Sequence, residues 1–400
     1  MRLRSLLVTA AAAAALAPLV AGPAGAAPRV TSPAPAAHSD RVCTKAPPGF
    51  AACDALVRTD VAPLAHAGPL VTPSGYGPAD LKSAYKLPGG AAGSGRTVAI
   101  VDAFDDPTAE KDLAVYRAQY GLPPCTKANG CFKKVNQNGV QGSYPVVNAG
   151  WAQEISLDVD MVSATCPGCK ILLVEATTNS FVNLGIAVNR AASLGAYAIS
   201  NSYGGSDAPD SSLGAPYNHP GIAVTVSSGD AGYGVEFPAS SKYVTAVGGT
   251  SLTKATNSRG WSEKAWSGAG SGCSAFNTAL SAAATFGTGC SRRAVADVSA
   301  VADPNTGVAV YDSTPQGGRS GWLVFGGTSA SAPIIASVYA IAGNTPGGTY
   351  ANKLPYAHPS ALFDVTAGSN GSCPTSQWCK ARKGWDGPTG LGTPNGATAF

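Results

Sequence analysis

Short aliphatic runs recur along this chain with helical stretches among them, and that alternation narrows the open folds more than any other feature. Thr97-Val-Ala-Ile-Val101, Lys170-Ile-Leu-Leu-Val174, Ala196-Tyr-Ala-Ile-Ser200, Ile222-Ala-Val-Thr-Val226 and Tyr243-Val-Thr-Ala-Val247 are β-branched or aliphatic almost throughout, as strands covered on both faces are. Asp112 to Tyr120, Trp151 to Ala164 and Phe181 to Leu194 carry apolar residues at helical spacing. The pattern predicts an α/β fold with a mostly parallel central sheet and helices on both faces. In such a sheet the functional groups collect beyond the carboxyl ends of the strands, so the residues that follow each run matter most.

Before the first run, Arg2 and Arg4 precede an apolar stretch from Leu6 to Val20 and a small-residue run from Ala21 to Ala27. A stretch this short, followed by an Ala-x-Ala type cleavage site, reads as a signal peptide over 1–27 rather than a bilayer span. The expected product is secreted and extracellular, a monomer with no stable membrane association. Residues 28–76, rich in Pro, Ala and Gly, read as a short pro-segment or N-terminal extension, and 77–400 as the main domain. Lys plus Arg number 27 against 23 Asp plus Glu, an excess that falls to +2 once Arg2 and Arg4 leave. That balance argues against nucleic acid as a partner.

Ten cysteines form five close pairs: Cys43 and Cys53, Cys125 and Cys131, Cys166 and Cys169, Cys273 and Cys290, Cys373 and Cys379. In an exported chain, five local disulfides are the natural reading. Cys166-Pro-Gly-Cys169 also has the spacing of a redox motif or half a zinc site, but no second such pair exists and the chain has only four histidines, so the disulfide is preferred.

The strongest chemical signal is Gly326-Gly-Thr-Ser-Ala-Ser-Ala-Pro333, followed by a mostly apolar run to Ala342. Ser329 would open a buried helix, where free N–H groups and the helix dipole favour developing negative charge. Upstream lies Trp151-Ala-Gln-Glu-Ile-Ser-Leu-Asp-Val-Asp160. If helical, it stacks Glu154 and Asp158 one turn apart, and two carboxyls that close share a proton and split their pKa values. Its apolar residues also alternate with period two, so a strand remains open, although Trp151, Ile155, Val159 and Val162 on one face favour the helix.

The Gly-Thr-Ser-x-x-x-Pro form resembles the subtilisin-like superfamily. None of His38, His66, His219 or His358 stands in the setting that a subtilisin histidine requires, and Asp102, placed like the subtilisin aspartate, then reads as a strand-end or surface residue. Glu-x-x-x-Asp upstream of the serine motif resembles instead the sedolisins, the serine-carboxyl peptidases, over roughly Gly77 to Phe400. The resemblance implies a subtilisin-like fold and a peptidase acting on polypeptides, with Ser329 as nucleophile, Glu154 as base and Asp158 as its partner. It also implies that Asp230, in Ser227-Ser-Gly-Asp-Ala-Gly232, stabilises the oxyanion, which it can do only while protonated. Ser202, Tyr203 and Gly204 resemble the segment that pairs with extended substrate.

Phe363-Asp-Val-Thr-Ala-Gly368 and Gly384-Trp-Asp-Gly-Pro-Thr-Gly-Leu-Gly-Thr-Pro394 offer two carboxylates and glycine-rich turns, an all-oxygen set suited to one Ca2+ ion. The resemblance implies carboxylates from Asp364 and Asp386 and carbonyls from Val365, Arg382 and Gly384. Three other functions remain to be weighed. A subtilisin with an unrecognised base lacks the histidine, and an esterase would need a Gly-x-Ser-x-Gly elbow that is absent around Ser329. A catalytically silent, secreted calcium-binding module would have no use for all four of Ser329, Glu154, Asp158 and Asp230.

Overall fold

The structure, a computed structural model, describes residues 38–65, 71–345 and 347–400. The expected signal peptide, 1–27, and His66 lie outside the described residues. Eight strands make the main sheet: β1 Thr97–Ala103, β2 Phe132–Asn136, β3 Lys170–Ala176, β4 Ala198–Asn201, β5 Ala223–Ser227, β6 Thr245–Lys254, β7 Trp261–Ala265 and β8 Val298–Val301. Their order is β7-β6-β5-β4-β1-β3-β2, with β8 also on β6, and every pairing is parallel except that of β6 with β7. All five aliphatic runs of the sequence lie wholly or partly in these strands.

Of four long helices, α1 Ala109–Gln119, α2 Ala149–Thr165, α3 Phe181–Ser193 and α4 Thr328–Ala342, the last three pack on the sheet, and α1 packs on α2. Segment 149–165 is helical, capped by the Asn148 side chain, which accepts from Trp151 N at 3.2 Å. Its misleading period of two has a simple cause. Every residue from Gly150 to Thr165 is buried, so apolar residues are welcome on all sides and no single period survives. Helix α4 is buried in the same way from Thr328 to Ile341.

A second, four-stranded sheet forms where a hairpin, Val308–Gln316 with Arg319–Gly326, meets Leu56–Arg58, which pairs in turn with Ser39–Arg41. Ala52–Cys53 pairs antiparallel with Tyr203–Gly204. Residues 38–65 are thus built into the same body as the rest, and composition alone, which suggested a boundary at 76, does not show it. All five expected disulfides are formed, and Cys166–Cys169 closes the turn from α2 into β3.

Candidate active site

Helix α4 places Ser329 one residue inside its start. The approach is tight. Gly327 holds φ at +99°, which side chains rarely adopt, and a Cβ there would stand 2.1 Å from Asp54 O and 2.5 Å from Asp230 Oδ2. Ser329 is fully buried. Its N–H donates to Asp54 O at 2.9 Å, and its Oγ donates to Ser202 O at 3.1 Å. Pro333 has no N–H to return to the carbonyl of Ser329 four residues back, which faces Ser202 Oγ at 3.4 Å instead.

Glu154 and Asp158 lie one turn apart on α2, both fully buried and neither paired with a cation among the described residues. Ser202 Oγ stands 2.8 Å from each oxygen of Asp158. Burial raises Glu154 well above the usual carboxylate range, the Asp158 and Asp102 carboxyls push it further, and the nearby Ser329 hydroxyl opposes them. Asp158 is likewise raised, by burial first and then by Asp102, against hydrogen bonds from Ser202 and Glu154. Three carboxyls this close cannot all ionise cheaply, so protons are held among them.

Asp102 is therefore no surface residue. It is fully buried near the carboxyl end of β1, has no hydrogen-bond partner on either oxygen, and is raised by burial to about 8. The sequence reading placed it at a strand end but missed its company, because register alone aims it inward toward α2.

Asp230 follows β5. Its Oδ1 accepts from Thr328 N at 2.7 Å and Thr328 Oγ1 at 2.8 Å, while Oδ2 is buried with no partner. Burial lifts Asp230 well above its ordinary range, with Asp54 adding to the effect. Asp54 O and Asp230 Oδ2 both border the space over Gly327, and from that oxygen Asp230 has a hydrogen to donate only when it is protonated.

Asp54 and Glu236 were not singled out from the sequence. Asp54 is buried, accepts from Ser227 Oγ at 2.7 Å and is raised to about 6 by burial, against Ser227 and Arg41. Beside it a cavity of ≈430 Å3 is lined by Arg41, Ala52, Gly204, Gly205 and Glu236, among others. Nothing in the local sequence around Asp54 signals a cleft residue, since its place depends on pairing with segments far along the chain. None of the described histidines, His38, His219 and His358, makes a hydrogen bond to Ser329, Glu154 or Asp158.

In the C-terminal loops, Asp364 Oδ2 accepts from Gly384 N at 3.0 Å. Asp386 Oδ2 accepts from Arg382 N at 3.0 Å, and its Oδ1 from Thr389 N at 3.0 Å and Thr389 Oγ1 at 2.8 Å. The carbonyls of Val365, Arg382 and Gly384 accept no hydrogen bond from the described residues. No group of three or more His, Cys, Asp or Glu side chains is placed to hold a metal ion among the described residues, so a cation held in these loops would lean on those carbonyls. The donor set is all oxygen and fits a hard cation.

Residues 146–350 match the family model described as the subtilase family, about half of the chain. Kumamolisin from Bacillus sp. (strain MN-32) is 31% identical over 373 residues, covering 81% of this chain and 63% of that protein. The chain belongs to the subtilase family, in its sedolisin branch. Sedolisin from Pseudomonas sp. (strain 101) is 31% identical over 206 residues, 43% of this chain and 33% of that one. Human tripeptidyl-peptidase 1 is 31% identical over 211 residues, 44% of this chain and 36% of that one. The chain spans less than two thirds of the length of each of these relatives. In three dimensions it superposes on Pseudomonas sedolisin, solved with two molecules of pseudo-iodotyrostatin, with a TM-score of 0.68 and 24% identity over 81% of this chain and 96% of that one. The sedolisin assignment accords with a buried serine that has two carboxyls, and none of the described histidines, beside it.

Proposed function

We propose that this chain is an exported serine-carboxyl endopeptidase that works in acid. The observation that carries the reading is the pair of fully buried carboxyls, Glu154 and Asp158, stacked one turn apart beside a buried helix-opening serine, with no cation paired to either among the described residues. Ser329 Oγ turns from Ser202 O toward Glu154, gives up its proton there and attacks the peptide carbonyl. Asp158, held by Ser202, keeps Glu154 in place and shares its proton. The Ser329 N–H and a protonated Asp230 bind the oxyanion. The leaving amine takes the proton back from Glu154, and water then hydrolyses the acyl-enzyme by the same route.

Tyr203–Gly204 on one side and Phe325–Gly326 on the other are the edges that extended substrate would pair with. A continuous chain, residues 52–57, already runs along both, which favours endopeptidase over exopeptidase action because neither end of the cleft is shut. Hydrolysis of a denatured protein, followed from about pH 2 to about pH 9, tests the proposal. Activity confined to acid is expected. Activity that peaks in alkali would point to an ordinary histidine-type subtilisin, and none at any pH to a silent module or a still-inhibited zymogen.

A calcium ion held by Asp364, Asp386 and the carbonyls of Val365, Arg382 and Gly384 would neutralise two neighbouring carboxylates and fix the C-terminal loops. Such an ion at a hundredfold excess over its Kd stabilises by about 3 kcal/mol. A chelator should therefore lower the melting temperature by several degrees, with calcium but not magnesium restoring it. Asp386→Asn should melt low and ignore both; an unchanged Tm on chelation would sink the site.

A further inference from the structure

The chain's own N-terminal strand lies in the cleft in the register of a substrate. Ala52 and Cys53 sit opposite Gly204 and Tyr203, and Asp54 N donates to Ser202 O at 3.2 Å. The Asp54 carbonyl accepts from Ser329 N at 2.9 Å, where the oxyanion would form. Beyond it, Leu56 and Val57 sit opposite Gly326 and Phe325. The bond presented to Ser329 is Asp54–Ala55.

What distinguishes this occupant from a passing substrate is how its two flanks are tied. Ser39, Asp40 and Arg41, on the amino side of the bond, pair with Arg58, Val57 and Leu56 on the carboxyl side. Val42 N donates to Ala55 O at 3.2 Å, and Thr59 N to His38 O at 3.0 Å. The Cys43–Cys53 disulfide then fastens that same amino-side strand to the residue just before Asp54. Both halves of the clamp are buried at its centre, with Cys53 fully so. Cutting Asp54–Ala55 would break one covalent link while the strand pairing holds both new ends where they were.

We propose that residues 38–59 are a built-in inhibitor of the cleft, clamped across the Asp54–Ala55 bond so that cleavage does not release them; this rests on the reading of Ser329 as nucleophile. The chemistry balances without a co-reactant. Ser329 Oγ bonds to the Asp54 carbonyl carbon, the C–N bond to Ala55 breaks, and the serine proton passes through Glu154 to the Ala55 nitrogen. A released substrate amine would diffuse away and let water in. The clamped Ala55 amine stays in line with the acyl carbon, where oriented intramolecular groups act at effective concentrations of about 10^5 M or more. It reattacks, the amide reforms, the proton returns to Ser329, and the cleft remains filled. Asp54 adds to the hold, because its side chain is seated on Ser227 Oγ rather than exposed.

Unclamping is tested in the full chain with Cys43→Ser and Cys53→Ser together. The double variant should hydrolyse an added peptide at least tenfold faster than the parent in acid, and adding Ser329→Ala should abolish that gain. In the Ser329→Ala background, where no cleavage can occur, hydrogen exchange at Val42 and Asp54 should be at least tenfold faster when the disulfide is absent. Unchanged protection in β1 would show that the body is still folded. Equal turnover by parent and double variant would overturn the proposal, and so would equal exchange at Asp54. A parent that becomes active on acquiring a new N-terminus at Ala55, with its disulfide intact, would also overturn it, since cleavage would then release the segment. If exchange shows the strand freed but no chain hydrolyses anything at any pH, the peptidase reading fails and the inhibitor with it.

Discussion

Stability should be greatest in acid and fall steadily toward neutral pH, the reverse of what most small proteins show. The cause is a set of buried carboxyls that form no salt bridge among the described residues. Asp54 and Asp106 are raised to about 6, and Asp102 and Asp312 to about 8, in each case chiefly by burial. Glu154, Asp158, Asp160 and Asp230 are raised well above the ordinary range for the same reason. In the unfolded chain these groups lose their protons near pH 4. Because the folded midpoints are higher, the neutral forms contribute fully below about pH 4, and that contribution is lost as pH rises through 6 and then 8.

Each pH unit by which a midpoint is displaced represents about 1.4 kcal/mol, which is a sizeable share of the margin of a typical domain. The carboxyls fall in two places, one around Ser329 and one between α1, α2 and the hairpin. Asp312 there accepts from Thr314 N at 2.9 Å, and Asp160 from Tyr311 N at 2.9 Å. Melting curves between about pH 3 and about pH 8 should show Tm falling by at least several degrees. Asp102→Asn, which keeps the shape and removes the charge, should flatten the fall. A Tm that holds or rises toward neutrality would refute this account.

Removing the catalytic groups should give losses that differ in size and in pH dependence. Ser329→Ala and Glu154→Gln should each lower kcat/KM by at least about 10^3, since one removes the nucleophile and the other its base. In the clamp-free background these losses are read without interference from the N-terminal strand. Asp230→Ala should cost about 10^2 to 10^3 in kcat, the usual effect of losing one oxyanion donor. Asp230→Asn is the sharper variant. Its amide oxygen can still accept from Thr328 N and Oγ1, and its N–H donates at any pH. It should retain most activity in acid and extend it toward neutrality. If Asp230→Asn is as inactive as Asp230→Ala at every pH, Asp230 does something other than donate to the oxyanion.

Much of the frame was readable from the chain, for a physical reason. Strands β1, β3, β4 and β5 are short aliphatic runs because both faces are covered, and Phe181–Ser193 shows a helical period because one side meets solvent. Where burial is complete the signal weakened: α2, apolar on every side, left helix and strand both open until the Asn148 cap and the backbone resolved it. Ser329, Glu154 and Asp158 could be picked out because their spacing is local. Asp54 and Glu236 could not, since their neighbours at 203–206 and 227–230 are reached only through tertiary pairing. Asp102 fell between these cases, visible as a strand end but not as a buried one.

The strand at 52–57 also bears on the order in which the molecule forms. It is among the first of the described segments to be synthesised, yet its partners at Tyr203–Gly204 and Phe325–Gly326 come some 150 and 270 residues later. Contacts of such sequence separation form late and slowly. Ser329 likewise arrives only after Glu154, Asp158 and Asp230 have been made. A partly synthesised chain therefore holds the base and the oxyanion carboxyl but no nucleophile, and when the nucleophile is finally docked, the docking closes the edges that seat the waiting N-terminal strand. If residues 38–59 inhibit as proposed, assembly and occlusion would coincide, and the nascent chain would not expose a complete cutting site to the cell that makes it.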